Sequence, residues 1–206
     1  AGTISISTGN AVAAQNIAVN QLNVPIGGFT ADVKGEPITV GKMAFNVTLS
    51  TNGTQTATAC TTAANTPCVS DITSVSLVDA NGAVIAGPVD GTGDPSSPNA
   101  AGTSDGEIVF STSVTLPVGV NTYTLKGKVG TNFATNITVQ ASTTPSSDFT
   151  SVKGTVSGNT ITPTPATVIT FSQMTVKAGA LTVSVPTVPV AQTVIANVSQ
   201  FEFARY

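Results

Sequence analysis

The chain has no histidine and no tryptophan, only two cysteines, and a charged fraction of 8%. The lack of histidine removes Ser-His-Asp and Cys-His catalysis, together with the usual histidine-containing metal triads. Carboxylates remain, and a glycosidase needs only two. Asp32, Glu36, Asp71, Asp79, Asp90, Asp94, Asp105, Glu107, Asp148 and Glu202 fall almost entirely at turns and loops, however, with no tryptophan to hold a sugar ring. The chain therefore reads as a non-enzyme. Seven scattered Lys and Arg residues and a net charge of −3 argue against nucleic acid as a partner, because phosphate binding needs clustered cations. No run of about 18 apolar residues exists to span a membrane as a helix.

What is abundant is Thr, Val, Ser and Asn, and with 40% hydrophobic residues in 206 the chain can bury a core. β-Branched side chains favour pleated, half-buried surfaces. From Met43 to Ser50 the odd positions are apolar and the even ones mostly polar, which turns one face inward. Ile38 and Val40 carry the opposite parity, and this predicts a β-bulge at Gly41-Lys42. Ile108, Phe110, Val114, Leu116 and Val118 form a second stripe, and Tyr123, Leu125 and Val129 a third. The turn chemistry of Pro117 to Asn121 between them predicts a hairpin. Strands are also expected at Ile72 to Val78, Phe133 to Ala141, Thr150 to Val156 and Thr160-Ile161. Asn81-Gly82 predicts a two-residue turn and Ser157 to Asn159 a tight one. Thr160 to Pro165 reads as an extended edge or connector. The expected fold is all-β: an antiparallel β-sandwich of Ig-like or Greek-key type over 1–177, with long loop insertions at 51–70 and 87–106 and no significant helix.

Cys60 and Cys68, separated by seven small or polar residues, suit a local disulfide in an oxidising compartment; zinc would need more ligands than the chain supplies. No cofactor is required by any motif. Calcium is the best chemical candidate, since Asp90, Asp94, Asp105 and Glu107 flank one long loop with hard oxygen ligands, yet no Asp-x-Asp-x-Asp spacing accompanies them. Solvated turn carboxylates are the simpler explanation of them. Asn46, Asn52, Asn136 and Asn197 lie in Asn-X-Ser/Thr sequons, about the number that a chain so rich in Asn and Thr produces by composition.

The opening of the chain recurs near its end. Ala1-Gly2-Thr3-Ile4-Ser5-Ile6-Ser7 is matched by Ala178-Gly179-Ala180-Leu181-Thr182-Val183-Ser184, and Ala14-Gln15 by Ala191-Gln192 at the same spacing of 177. Phe29 pairs more naturally with Phe201, which makes the second copy about five residues shorter and the period close to 175. Residues 178–206 thus read as a terminal strand segment resembling 1–31, either the start of a next repeat or a strand for a neighbouring subunit. The Val198 to Tyr206 stretch, with Phe201-Glu202-Phe203 alternating, is an edge in need of a partner.

The run from Ile26 to Val40, the strand Ile72 to Val78, Asp79-Ala80-Asn81-Gly82 and Leu116-Pro117-Val118-Gly119 follow one another in an order that resembles the tandem β-sandwich (Ig-like) units of bacterial cell-surface, S-layer-like or filament proteins. The resemblance spans about Thr3 to Ala141. It implies a structural or adhesive role and carries no catalytic residues. Pro37 after Gly35-Glu36 departs from the pattern, where such units often have an acidic residue.

Two functions are expected from this. The first is an extracellular structural protein, a subunit or repeat of a surface layer or filament whose partners are copies of itself, assembling by strand pairing through Ile4, Ile6, Leu181, Val183, Val198, Phe201 and Phe203. The second is a cell-surface adhesin or carbohydrate-binding module that takes glycans on its two long loops. A small-residue start such as Ala1-Gly2 fits the mature end of an exported chain or equally a cut made within a longer one.

Overall fold

The structure is a computed structural model and describes residues 2–8, 12–51, 54–55, 67–93 and 106–177, with 193, 196–197 and 199–200 beyond them. In chain order the strands are β1 (Thr3–Thr8), β2 (Gln15–Ala18), β3 (Val24–Lys34), β4 (Ile38–Val40), β5 (Lys42–Thr51), β6 (Thr54–Gln55), β7 (Ile72–Val78), β8 (Val84–Val89), β9 (Glu107–Phe110), β10 (Val114–Leu116), β11 (Gly119–Val129), β12 (Ile137–Thr143), β13 (Phe149–Thr150), β14 (Lys153–Gly154), β15 (Ile169–Thr170) and β16 (Met174–Lys177). Among the described residues the helical content is one 3-10 turn, Val69–Asp71, and the four-residue α1, Pro145–Asp148. The fold is an all-β sandwich, as the alternation implies.

One sheet runs β1-β3-β11-β7-β8, all antiparallel; the second runs β13-β5-β12-β16-β2, with β6 and β9 also on β5 and β15 on β12; a small third sheet runs β10-β4-β14. The core lies between the two large sheets. Phe29 of β3 is its centre, with ring centroids of Phe45, Tyr123, Phe149 and Phe171 within 5.4–6.1 Å. Gly27 lets Phe171 approach, for a Cβ there would lie 2.8 Å from the Phe171 ring. The outer face of the second sheet is uncharged across its central pair, where Asn46, Thr48 and Ser50 lie opposite Ser142, Gln140 and Thr138.

Four local expectations are revised. Ile38 and Val40 do share the buried interior with Met43, Phe45, Val47 and Leu49, but the parity change at Gly41 is a bend between sheets rather than a bulge. The Gly41 N–H bonds the carbonyls of Thr150 and Ser151 at 3.1 and 3.3 Å, and a Cβ on it would meet Ser151 at 2.7 Å. Pro117 to Asn121 is likewise no hairpin: β10 pairs with β4 and β11 with β3 and β7, so the turn carries the chain from the small sheet to the large one and leaves Val118 52% exposed. The Asp79–Gly82 hairpin forms, with a three-residue loop closed by the Asp79 N–H to Ala83 carbonyl bond (3.0 Å) and with Gly82 at φ 82°. That is the geometry that needs glycine at the left-handed position. Finally, 87–106 is not all loop, because β8 continues to Val89, and 51–70 contains β6.

Candidate assembly site at the first strand

β1 is held on both edges. It pairs with β3 from Thr3↔Lys34 to Thr8↔Phe29, and on its other side the Ile6 N–H bonds the Thr164 carbonyl (2.8 Å) and the Thr164 N–H bonds the Ile4 carbonyl (3.1 Å). The Thr160 to Pro165 segment is thus a connector at that edge, as expected. Ile4 and Ile6 point into the sandwich and are each 2% exposed. Alternation places them inward, while Thr3, Ser5 and Ser7 face solvent.

The end of the slot is defined by Glu36, which follows Gly35 (φ 85°) in the tight passage from β3 to β4. Its carboxylate accepts four hydrogen bonds: Oε1 from the Gly2 N–H (3.0 Å) and the Ser157 hydroxyl (2.6 Å), Oε2 from the Val156 and Ser157 N–H groups (both 2.8 Å). The Ser157 hydroxyl and N–H, then the Val156 and Gly2 N–H groups, outweigh desolvation and hold the Glu36 carboxyl down at about 2. Two glycines are shaped by this group. A Cβ on Gly154 would lie 2.5 Å from the carboxylate, and one on Gly2 would lie 2.8 Å from Glu36 Cγ and 3.3 Å from the Lys34 carbonyl oxygen. The charge that the departure at Pro37 left in question is therefore structural and sits one residue earlier. Sequence reading missed it because its partners are 34 and about 120 residues away.

Leu181, Val183, Val198, Phe201 and Phe203, Cys60, Asn52, Asp94 and Asp105 lie outside the described residues. Cys68 is 8% exposed and its N–H bonds Asp71 Oδ2 (2.9 Å); among the described residues no cysteine is free. Asp90 Oδ1 accepts from the Ser74 N–H (2.8 Å), and Glu107 pairs through its backbone with Thr92 at 2.8 and 2.9 Å, which closes the neck of the second long loop. Gly91 packs at the root of the first, where a Cβ would meet the Val69 carbonyl oxygen at 2.3 Å, so both insertions leave from one region of the sandwich. No group of three His, Cys, Asp or Glu side chains among the described residues is placed to hold a metal ion. Asn46 is half-buried in mid-strand; Asn136 and Asn197 are exposed at turns with φ 73° and 70°.

A cleft that sequence reading did not single out lies between the β7–β8 hairpin and the start of β11. It has a volume of about 450 Å³ and is lined by Asp79, Asn81, Ile85, Thr115, Asn121 and Tyr123 among others. The Tyr123 phenol at its floor is pushed up to about 12 by burial and then by the nearby Asp79 charge. Comparison with family models, curated proteins and solved structures finds no match. No helix is long and apolar enough to cross a membrane among the described residues.

Proposed function

We propose that this chain is an extracellular structural protein, a subunit or repeat of a surface layer or filament, which assembles with copies of itself by β-strand pairing. The observation that carries the reading is β1. It is an end strand that supplies two fully packed isoleucines and is hydrogen-bonded on both edges, and its pattern of small and apolar residues recurs at 178–184. The kinship with tandem β-sandwich units of bacterial surface proteins proposed from the order of the motifs fits this use. Electron microscopy of the full chain under non-denaturing conditions tests the reading: ordered filaments or sheets are expected, and monodisperse single particles at all concentrations would refute it.

An adhesin or carbohydrate-binding module is the second reading. It is favoured by the cleft beside Tyr123, whose Asn81, Thr115 and Thr122 side chains offer amide and hydroxyl groups to a sugar. Retention of a glycan on an array, lost in Asn81→Ala, would select it. Under either reading Cys60 and Cys68 close as a disulfide suited to an oxidising environment. Cys68→Ser is expected to lower unfolding stability by about 2–3 kcal/mol, with peptide mapping under non-reducing conditions checking the linkage.

A further inference from the structure

The residue pattern of the strand that fills the slot occurs at two places in the sequence. Residues 1–7 and 178–184 share Ala, Gly and Ser at the first, second and seventh positions and apolar residues at the fourth and sixth. The correspondence continues into backbone geometry. Asn20 and Asn23 both have φ 59°, and 177 residues later Asn197 and Gln200 have φ 70° and 62°. Left-handed backbone is uncommon outside glycine, so two such positions at the same three-residue separation are a specific signature. At this constant spacing Val24 and Ile26 match Phe201 and Phe203, and Phe29 matches Tyr206. No shortening by five residues is needed.

We propose that the slot now filled by β1 is a receptor for the 178–184 strand of a second copy of this chain, and that Glu36 selects the strand by its glycine. This rests on the strand-pairing function above and names its donor. The slot is preformed on one side, since three of the four donors to Glu36 come from Val156 and Ser157 and only one from β1. Its backbone acceptors and donors on β3 and Thr164 read no side chain and accept any strand in register. Specificity must come from position two, where a Cβ collides with Glu36 and crowds the Lys34 carbonyl, and from positions four and six, which fill the core. Gly179, Leu181 and Val183 meet all three requirements.

Ser5 and Asp32 are direct partners across β1 and β3, and Thr182 occupies the place of Ser5 in the second copy of the strand. Two full-length variants, Asp32→Cys and Thr182→Cys, are mixed, unfolded, refolded together and oxidised, and the linkages are mapped by mass spectrometry. A 32–182 disulfide between copies is expected at roughly tenfold or more the yield of a control pairing of Thr48→Cys with Thr182→Cys. Gly2→Val in the Asp32→Cys chain should raise that yield by weakening the resident strand; Gly179→Val in the Thr182→Cys chain should abolish it. No link above the control, or a link indifferent to Gly179→Val, overturns the proposal. Ordered filaments without a 32–182 link would sink this donor while leaving strand-pairing assembly intact. A link that yields only closed dimers would uphold the slot and refute the filament.

Discussion

The Phe29 cluster and the Glu36 anchor both hold the first third of the chain, and they do so by opposite means. Rings from β5, β11, β13 and the segment before β16 pack within about 6 Å of Phe29 of β3. That attraction is non-directional and scales with apolar area removed from water, so it asks of the sequence only that large apolar residues fall on the right parity. Glu36 gathers four donors at 2.6–3.0 Å into one carboxylate and needs glycine at positions 2 and 154 to make room. Its contribution is directional and charge-dependent. The cluster fills the sandwich, and the anchor ties the start of β1 to the turn at Val156 and Ser157.

Phe29→Ala should be the most damaging change, costing about 3–5 kcal/mol at any pH, because it leaves a cavity among four other rings. Denaturant unfolding measures it, and a loss below about 1 kcal/mol would mean that Phe29 is not the centre of the core. Gly154→Ala attacks the other region by driving a methyl into the carboxylate, and an overpacking loss of about 1–3 kcal/mol is expected. Gly158→Ala, in the same turn but with open space around it at φ 68°, should cost less.

Glu36→Gln separates the two regions by pH. The folded carboxyl titrates at about 2 against 4.5 unfolded, so its stabilisation is fully present above pH 4.5 and is lost as pH falls towards 2. Thermal unfolding of the native chain should fall across that window, and the variant should show a flatter profile there. Phe29→Ala should keep the native slope while lowering the whole curve. Equal slopes in Glu36→Gln and the native chain would show that the anchor carries no pH-dependent stability.

The contrast also marks what could be read in the sequence. Phe29, Phe45, Tyr123, Leu125 and Val139 were legible as core because a strand has a period of two, and a buried face repeats it. The hairpin at Asp79–Gly82 was legible because Asn-Gly has local backbone chemistry. Pro117 to Asn121 misled because its turn residues report a change of direction and not the sheet that receives the next strand; β10 and β11 part company through pairing with β4 and β3, which are distant in sequence. At Gly41 the parity was right and the mechanism was not, since a bend and a bulge both restore an inward face. Glu36 was invisible for the same reason as β4's partners: nothing within ten residues of it announces Gly2 or Ser157. Of the expected assembly residues, Ile4 and Ile6 lie in the slot, and the cleft at Tyr123 had no signal beyond one tyrosine reading as core.

Amide hydrogen exchange of the full chain tests most directly whether β1 is a replaceable strand on a permanent sandwich. The Ile6 N–H, bonded to Thr164, and the Phe171 N–H, bonded to Ala141, both sit beside buried side chains. If β1 docks as a separate unit, Ile6 should exchange through a smaller opening than Phe171, with protection lower by roughly tenfold or more. Equal protection at the two amides, both tracking global unfolding, would contradict it.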